Sequence, residues 1–529
     1  MYYLIIVISS ILYIIIKTKK NTQIFQQNFY NENNRYLIWG SKNLSKVFNI
    51  YDITLCIINL INIFIKSKIL ILFNILYLVI YIIENKKLKK EQVKIPLKIT
   101  KRVIKLFVTL FLIVSLFIYI LMNYSVYTFN FIYSLIILFN FYIIFFANII
   151  NWPIDKIVYL CYLYKSKNKF KTLNNLEVIG ITGSYGKTSS KNILNEILSV
   201  KYNSVTTPKN YNTKYGIMIT INNYINQFHD IFVAEMGAFK VGSIKSLCKI
   251  VKPKYGIITN IGTAHLETFK SRENIRKAKF ELINSLPSDG VAILNGDDEY
   301  QINYETKSKC KKIWIAIKNK NADIIANNIK IDSNGMNFNV YFKEDKKEYE
   351  FSTKLLGEAN VYNILGAIAF GKYKGMTIQE LQYGVRKLKP IPHRLERKKV
   401  GNKTIIDDAY NSNPVGSKMA LDVLKLMDGI KIVVTPGMIE LGEEEYNLNK
   451  KYGEYISEVA DYVILVGKNQ TKPIYDGLIQ KKFNKTKIII INDIKEAFKI
   501  IDEIKSEKEK YILLENDLPD IFNETKKEG

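Results

Sequence analysis

The sequence predicts an α/β protein: transmembrane helices first, then a doubly wound central domain, then a second, smaller α/β domain. Three observations predict this. Residues 1–150 carry long apolar runs without amphipathic periodicity. From about residue 175, short strand-like runs alternate with helical stretches, the pattern of a mostly parallel sheet with helices on both faces. A glycine-rich turn joins the first of those strands to a helix.

The bulk numbers narrow the classes. A chain of 529 residues is too long for one core. Its net charge of +27 reflects 76 Lys+Arg against 49 Asp+Glu. The excess follows a chain-wide richness in Lys, Ile, Asn and Tyr. No basic stripe with interleaved aromatics marks a nucleic-acid surface. Cys56, Cys161, Cys248 and Cys310 are scattered, with no C-x-x-C. That argues against a zinc site or a disulfide framework and fits a reducing cytosol.

Within 1–150, four or five helical segments are expected. Met1 to Ile16 is nearly all apolar and is followed by Lys17, Lys19 and Lys20, so it reads as an uncleaved anchor with its N-terminus outside. Ile53–Ile65 and Ile69–Ile83 are shorter runs, and Val103–Met122 and Tyr127–Ile150 are long enough to span. The lysine-dense stretches Lys17–Lys46 and Lys86–Arg102 both belong on the cytoplasmic side. The segment between them then crosses twice or not at all. This topology leaves the rest of the chain in the cytoplasm, below a multi-pass plasma-membrane region.

Residues 151–174 read as a linker, 175–390 as the central domain and 391–529 as the C-terminal one, with Pro390-Ile391-Pro392 at the boundary. Predicted central strands are Val178–Thr182, Ser204–Thr207, Ile231–Glu235, Tyr255–Asn260, Val291–Asn295 and Lys312–Ile317. The later ones are Thr404–Ile406, Ile430–Thr435, Tyr462–Val466, Lys487–Ile491 and Tyr511–Leu514.

The chemistry gathers at Val178–Ser189, V-I-G-I-T-G-S-Y-G-K-T-S. A strand runs into Gly183, Ser184, Tyr185, Gly186, Lys187, Thr188 and Ser189, and then into a helix. Backbone N–H groups and the helix N-terminus favour phosphate, Lys187 reaches the outer phosphates, and the Thr188 hydroxyl suits Mg²⁺. The first glycine of the strict motif is missing: Ile181 stands there. Glu235 closes a strand where such sheets bind ligands; it either holds Mg²⁺ or caps a helix. His265, in N-I-G-T-A-H-L-E, suits a metal, a substrate or an ordinary turn. Lys279 reads as a solvated lysine. Asn295, in L-N-G-D-D, could contact a base or simply make a turn.

These motifs occur in order with T-P-K-N-Y-N-T, A-E-M-G, A-K-F-E, P-H-R-L-E and D-D-A-Y-N-S-N-P. Together, over about 175 to 520, they resemble the Mur ligase family of ATP-dependent amide-bond-forming enzymes. D-D-A-Y-N-S-N-P and G-M-I-E-L-G resemble the branch that couples a muramoyl tripeptide to D-alanyl-D-alanine. The resemblance implies a P-loop-type ATPase domain and a Rossmann-like C-terminal domain that closes over it. It implies ATP and two Mg²⁺ ions, with Thr188, Glu235, His265 and a carbamylated Lys279 as metal ligands. Lys187, His265 and Lys279 would be catalytic. Asn295, Arg394, Asp408, Tyr410 and Asn411 would contact the nucleotide along with the loop. The implied substrates are a muramoyl-peptide precursor and D-alanyl-D-alanine, in cell-wall precursor synthesis.

Three features depart from the family pattern. Membrane segments stand where a UDP-sugar domain is expected. Gly357-Glu358-Ala359-Asn360 has alanine in place of histidine, and Leu514-Glu515-Asn516-Asp517-Leu518-Pro519 stands in place of K-G-S. A membrane-anchored poly-γ-glutamate or capsule-type ligase is a second reading. A non-catalytic, membrane-tethered ATP-binding scaffold is a third.

Overall fold

The computed structural model describes residues 2–90, 96–264, 266–332, 334–409, 413–439 and 441–516. The chain forms two compact units, Met1–Tyr159 and Leu160–Leu518.

The first unit is helical. Tyr2–Gln27, Lys68–Lys86 and Lys101–Leu121 are each long and apolar enough to cross a bilayer. Ile50–Ile65 is apolar but only 16 residues long. The single run expected over Tyr127–Ile150 is instead two helices, Val126–Leu138 and Asn140–Ile150, bent by 78°. The break has a polar cause. Asn140 is buried, donates to Thr18 Oγ1 at 2.9 Å and accepts from Asn21 Nδ2 at 2.9 Å. Those bonds to the helix Tyr2–Gln27 redirect a chain that apolarity alone would carry straight on.

Lys17 does not end the first helix, as the sequence suggests. It lies inside Tyr2–Gln27 and is buried. Its ammonium and the Tyr13 hydroxyl both donate to the buried Asp52 carboxylate. Phe111, Leu112 and Leu116, by contrast, point outward from Lys101–Leu121. Polar groups inside and apolar groups outside invert the arrangement of a water-soluble bundle. Asp52→Leu leaves the Lys17 charge stranded and is expected to cost about 3 to 5 kcal/mol, whereas Lys17→Met/Asp52→Leu recovers most of that loss. Thermal unfolding of the detergent-solubilised protein reads both, and additive losses would refute the pairing.

Trp152–Lys171, expected as a linker, is a helix with Pro153 in its first turn, where the missing N–H costs nothing.

In the second unit the described residues form two sheets. β1 (Glu177–Thr182), β2 (Ser204–Thr206), β3 (Ile231–Glu235), β4 (Tyr255–Ile258), β5 (Val291–Asn295) and β6 (Lys311–Ala316) follow the sequence expectation to within two residues. β7 (Ile324–Asp332), β8 (Gly335–Phe342) and β9 (Lys347–Thr353) extend that sheet and were not expected. The order is β2-β3-β1-β4-β5-β6-β7-β8-β9, parallel through β7 and antiparallel beyond. The second sheet adds β10 (Glu396–Val400), also unexpected, to β11 (Lys403–Asp408), β12 (Ile430–Thr435), β13 (Tyr462–Val466), β14 (Ile488–Ile491) and β15 (Lys510–Glu515). Its order is β10-β11-β15-β12-β13-β14, parallel except at β10.

The core of the central domain ties two helices to the first sheet. Ile193, Leu194 and Ile197 of the helix Lys187–Leu198 are buried with Ile179 and Ile181 of β1. Val361, Ile364 and Leu365 of the helix Glu358–Tyr373 join the same cluster. Each such side chain contributes about 1.5 to 3 kcal/mol of burial. The N-terminus of Lys187–Leu198 is thereby held against the carboxyl ends of β1, β3 and β4.

Candidate active site

The turn after β1 is tightly built. Gly186 precedes the helix with φ 76°, a left-handed conformation that costs glycine little. A Cβ on Gly183 would collide with Thr259 Oγ1, so this position has no room for a side chain.

Asn260, just past β4, holds the turn in shape. Its carbonyl accepts from Ser184 N at 2.9 Å and its Oδ1 from Tyr185 N at 2.9 Å. The Tyr185 hydroxyl meets Thr263 Oγ1 at 2.9 Å and accepts from Thr263 N at 3.1 Å. Ser184 Oγ accepts from Gly262 N at 2.9 Å. Asp298 secures this second loop, accepting from Ile261 N at 2.8 Å. Two of the turn's N–H groups are therefore committed to Asn260. An incoming anion meets the helix N-terminus, with Thr188 in its first turn and Ser189 buried behind it.

The Lys187 ammonium folds back on its own turn, donating to Gly183 O at 2.7 Å and Ser184 O at 2.9 Å. Desolvation lowers its pKa to about 8; Glu235 opposes the shift and the Arg394 charge adds to it. Arg394 is also felt by Asp408. The second domain thus brings positive charge up to the phosphate turn.

Glu235 ends β3 and is 1% exposed. Its Oε2 pairs with Lys191 Nζ at 2.9 Å, and Asn212 Nδ2 donates to its Oε1 at 3.0 Å. Burial alone would raise its pKa. Lys191, then Asn212 and Lys187, outweigh that and hold the carboxyl below the ordinary glutamate range. The helix-capping alternative does not apply.

Lys279 is no solvated lysine. It sits in the helix Arg272–Phe280 at 2% exposure, its ammonium 5.9 Å from the Phe269 ring centre. Desolvation first, then the Lys187 charge, push its pKa well below that of a free lysine.

Asn295 ends β5 with its Oδ1 accepting from Asp297 N at 2.9 Å, the turn arrangement. Asp297 in turn accepts from the N–H groups of Ile317, Lys318 and Asn319. Asp408 ends β11 beside Glu515 of β15 and accepts from Leu395 N at 3.1 Å. Burial raises its pKa to about 6. His265, Tyr410 and Asn411 lie outside the described residues.

The structure therefore brings Lys187, Glu235 and Lys279 into one electrostatic neighbourhood with Arg394. Sequence reasoning missed Lys191 and Asn260. Lys191 lies four residues after Lys187 on the same helix, and Asn260 follows a strand end. Spacing and position were the available signals for both.

Comparison with known proteins adds a second line of evidence. Residues 181–371 match the Mur ligase middle domain and residues 393–514 match the Mur ligase, glutamate ligase domain. The chain is 32% identical to the UDP-N-acetylmuramoyl-tripeptide–D-alanyl-D-alanine ligase of Bacillus subtilis over 330 residues, covering 62% of this chain and 70% of that one. It is 32% identical to the Escherichia coli enzyme of the same name over 294 residues, 55% of this chain and 64% of that protein. The matched region thus spans about two thirds of those relatives. Among solved structures, MurF of Acinetobacter baumannii superposes with a TM-score of 0.61 at 26% identity, covering 68% of this chain and 77% of that one. MurF of Thermotoga maritima in complex with ADP gives 0.60 at 26% identity, covering 68% and 80%.

Proposed function

Because the chain belongs to the Mur ligase family, we propose that it is an ATP-dependent amide-bond ligase of peptidoglycan precursor synthesis. It joins a muramoyl-tripeptide carboxylate to D-alanyl-D-alanine, the reaction named for its relatives. The observation that supports this reading is the electrostatic coupling of Lys187, on a phosphate-type turn, to Glu235, Lys279 and Arg394 of the second domain.

The reaction follows from carboxylate chemistry. A carboxylate oxygen attacks the γ-phosphorus of ATP, ADP leaves and an acyl phosphate forms. The amine nitrogen attacks the acyl carbon, and the tetrahedral intermediate expels phosphate as the nitrogen loses its proton. Both steps crowd anions together, so the protein's task is to position them and offset their charge. Lys187 leaves its two carbonyls to meet the outer phosphates. Arg394 adds charge from the C-terminal domain, and Asp408 lies within its field.

The donor set fits Mg²⁺. The Glu235 carboxylate is kept ionised, and the Thr188 hydroxyl is a second hard oxygen donor in the adjacent first turn. Mg²⁺ bound there supplies charge neutralisation on the phosphates. Lys279 is suited to carbamylation, because CO₂ reacts only with a neutral amine. The carbamate, with His265, would hold a second ion. Tyr410, Asn411 and Asn295 are assigned to the nucleotide by family resemblance.

The membrane-length helices of the first unit support an anchor in the plasma membrane. The lysine-dense segment Lys86–Arg102 supports a cytoplasmic location for the catalytic unit.

Phosphate release is the test. With ATP, Mg²⁺ and a UDP-muramoyl tripeptide, turnover is expected with D-alanyl-D-alanine and not with glutamate. Turnover with glutamate alone would select the capsule-type reading, and none with any amine would select the scaffold.

A further inference from the structure

Lys191 is 1% exposed and has no role in the mechanism above. Its ammonium donates to Thr207 O at 2.9 Å and Lys209 O at 2.6 Å and pairs with Glu235 Oε2 at 2.9 Å. Two of its protons are given to the carbonyls, and its charge is paired with the carboxylate. The three partners lie on two segments: the loop after β2 supplies two, and the end of β3 the third. Asn212, at the far end of that loop, closes the ring. It donates to Glu235 Oε1 at 3.0 Å, and its carbonyl accepts from Gly237 N at 2.9 Å. A Cβ on Gly237 would approach Asn212 Oδ1 to 2.8 Å, so the loop is pressed against the strand end.

A buried ion pair is a poor source of stability, since apolar replacements of similar volume often do as well. What it supplies is geometry. We propose that Lys191 is a positioning residue that fixes the Glu235 carboxylate in one orientation for a divalent cation and ties the loop 207–212 to it, so that cation binding and loop order are linked. The proposal rests on the reading of Glu235 as a metal ligand. Removing a group that orients a metal ligand typically weakens metal affinity ten- to a hundredfold.

The test uses the full chain in detergent with Mn²⁺ as probe, in the presence of ADP, followed by electron paramagnetic resonance. Lys191→Met and Lys191→Gln are expected to weaken Mn²⁺ binding ten- to a hundredfold. Glutamine can still donate to the Thr207 and Lys209 carbonyls, so the second variant keeps the loop seated if the first fails to fold. Tryptic cleavage of the exposed Lys209–Asn210 bond reads the loop. Mn²⁺ should slow cleavage in the unsubstituted protein and not in Lys191→Met. A folded Lys191→Gln protein that binds Mn²⁺ as tightly as before, or cleavage unchanged by Mn²⁺, would overturn the proposal. Glu235→Gln separates the premise. If it binds Mn²⁺ normally, the metal assignment itself fails; if it loses Mn²⁺ while Lys191→Gln does not, only the positioning role fails.

Discussion

Lys187→Ala is expected to lower ATP-dependent phosphate release by about a thousandfold while leaving the fold intact. The ammonium now caps two carbonyls of its own turn. Losing the donor to two buried carbonyls is expected to cost about 1 to 3 kcal/mol of stability. The catalytic cost is larger, because a preorganised charge aimed at the transferring phosphoryl group is worth several kcal/mol in a site closed to water. Two measurements distinguish the effects. Thermal unfolding should shift modestly, and the stabilisation that ATP gives the parent protein should disappear. Parental turnover in the substituted protein would remove the phosphate-turn assignment. The same substitution also acts on Lys279, whose pKa Lys187 holds down. Loss of the Lys187 charge raises the Lys279 pKa, and with it the share of protonated amine.

The parallel strands were legible because fully buried strands read as short β-branched runs, as in Ile231–Glu235, with all five residues buried. The phosphate turn was legible for a related reason: glycine is required where φ is positive at Gly186 and where Thr259 crowds Gly183. β8 escaped although its alternation was present, with Met336, Phe338, Val340 and Phe342 buried in turn. It belongs to an antiparallel run, β7 to β9, that the strand–helix alternation of the rest of the domain does not lead one to expect. The bend near Phe139 escaped because hydropathy does not register a tertiary hydrogen bond such as Asn21 to Asn140. Lys191 and Lys279 show the same limit at the site. Composition gives a lysine a prior of exposure. Only packing reveals that these two are buried, one against a carboxylate and the other beside an aromatic ring.

Lys279→Ala should reduce turnover by about a hundredfold or more, and millimolar formate or acetate should restore part of it. The argument begins with burial. An amine deprived of water, with the Lys187 charge nearby, has its pKa pushed well below that of a free lysine, which raises the share of neutral amine. A neutral amine can attack CO₂: a nitrogen–carbon bond forms, a proton leaves, and the lysine becomes an anion with two oxygens. The carbamate places a negative charge beside Lys187, an attraction where an ammonium would be repelled. It also supplies the hard oxygen donors that a second Mg²⁺ requires. A small carboxylate diffusing into the space left by alanine carries the same charge and the same oxygens, which is why it should rescue. Independent of activity, the parent protein equilibrated with ¹³C-bicarbonate should show a carbamate carbon resonance that Lys279→Ala lacks. Full turnover in Lys279→Ala, or an active parent protein with no such resonance and no response to CO₂ depletion, would mean that this buried amine does its work as a lysine.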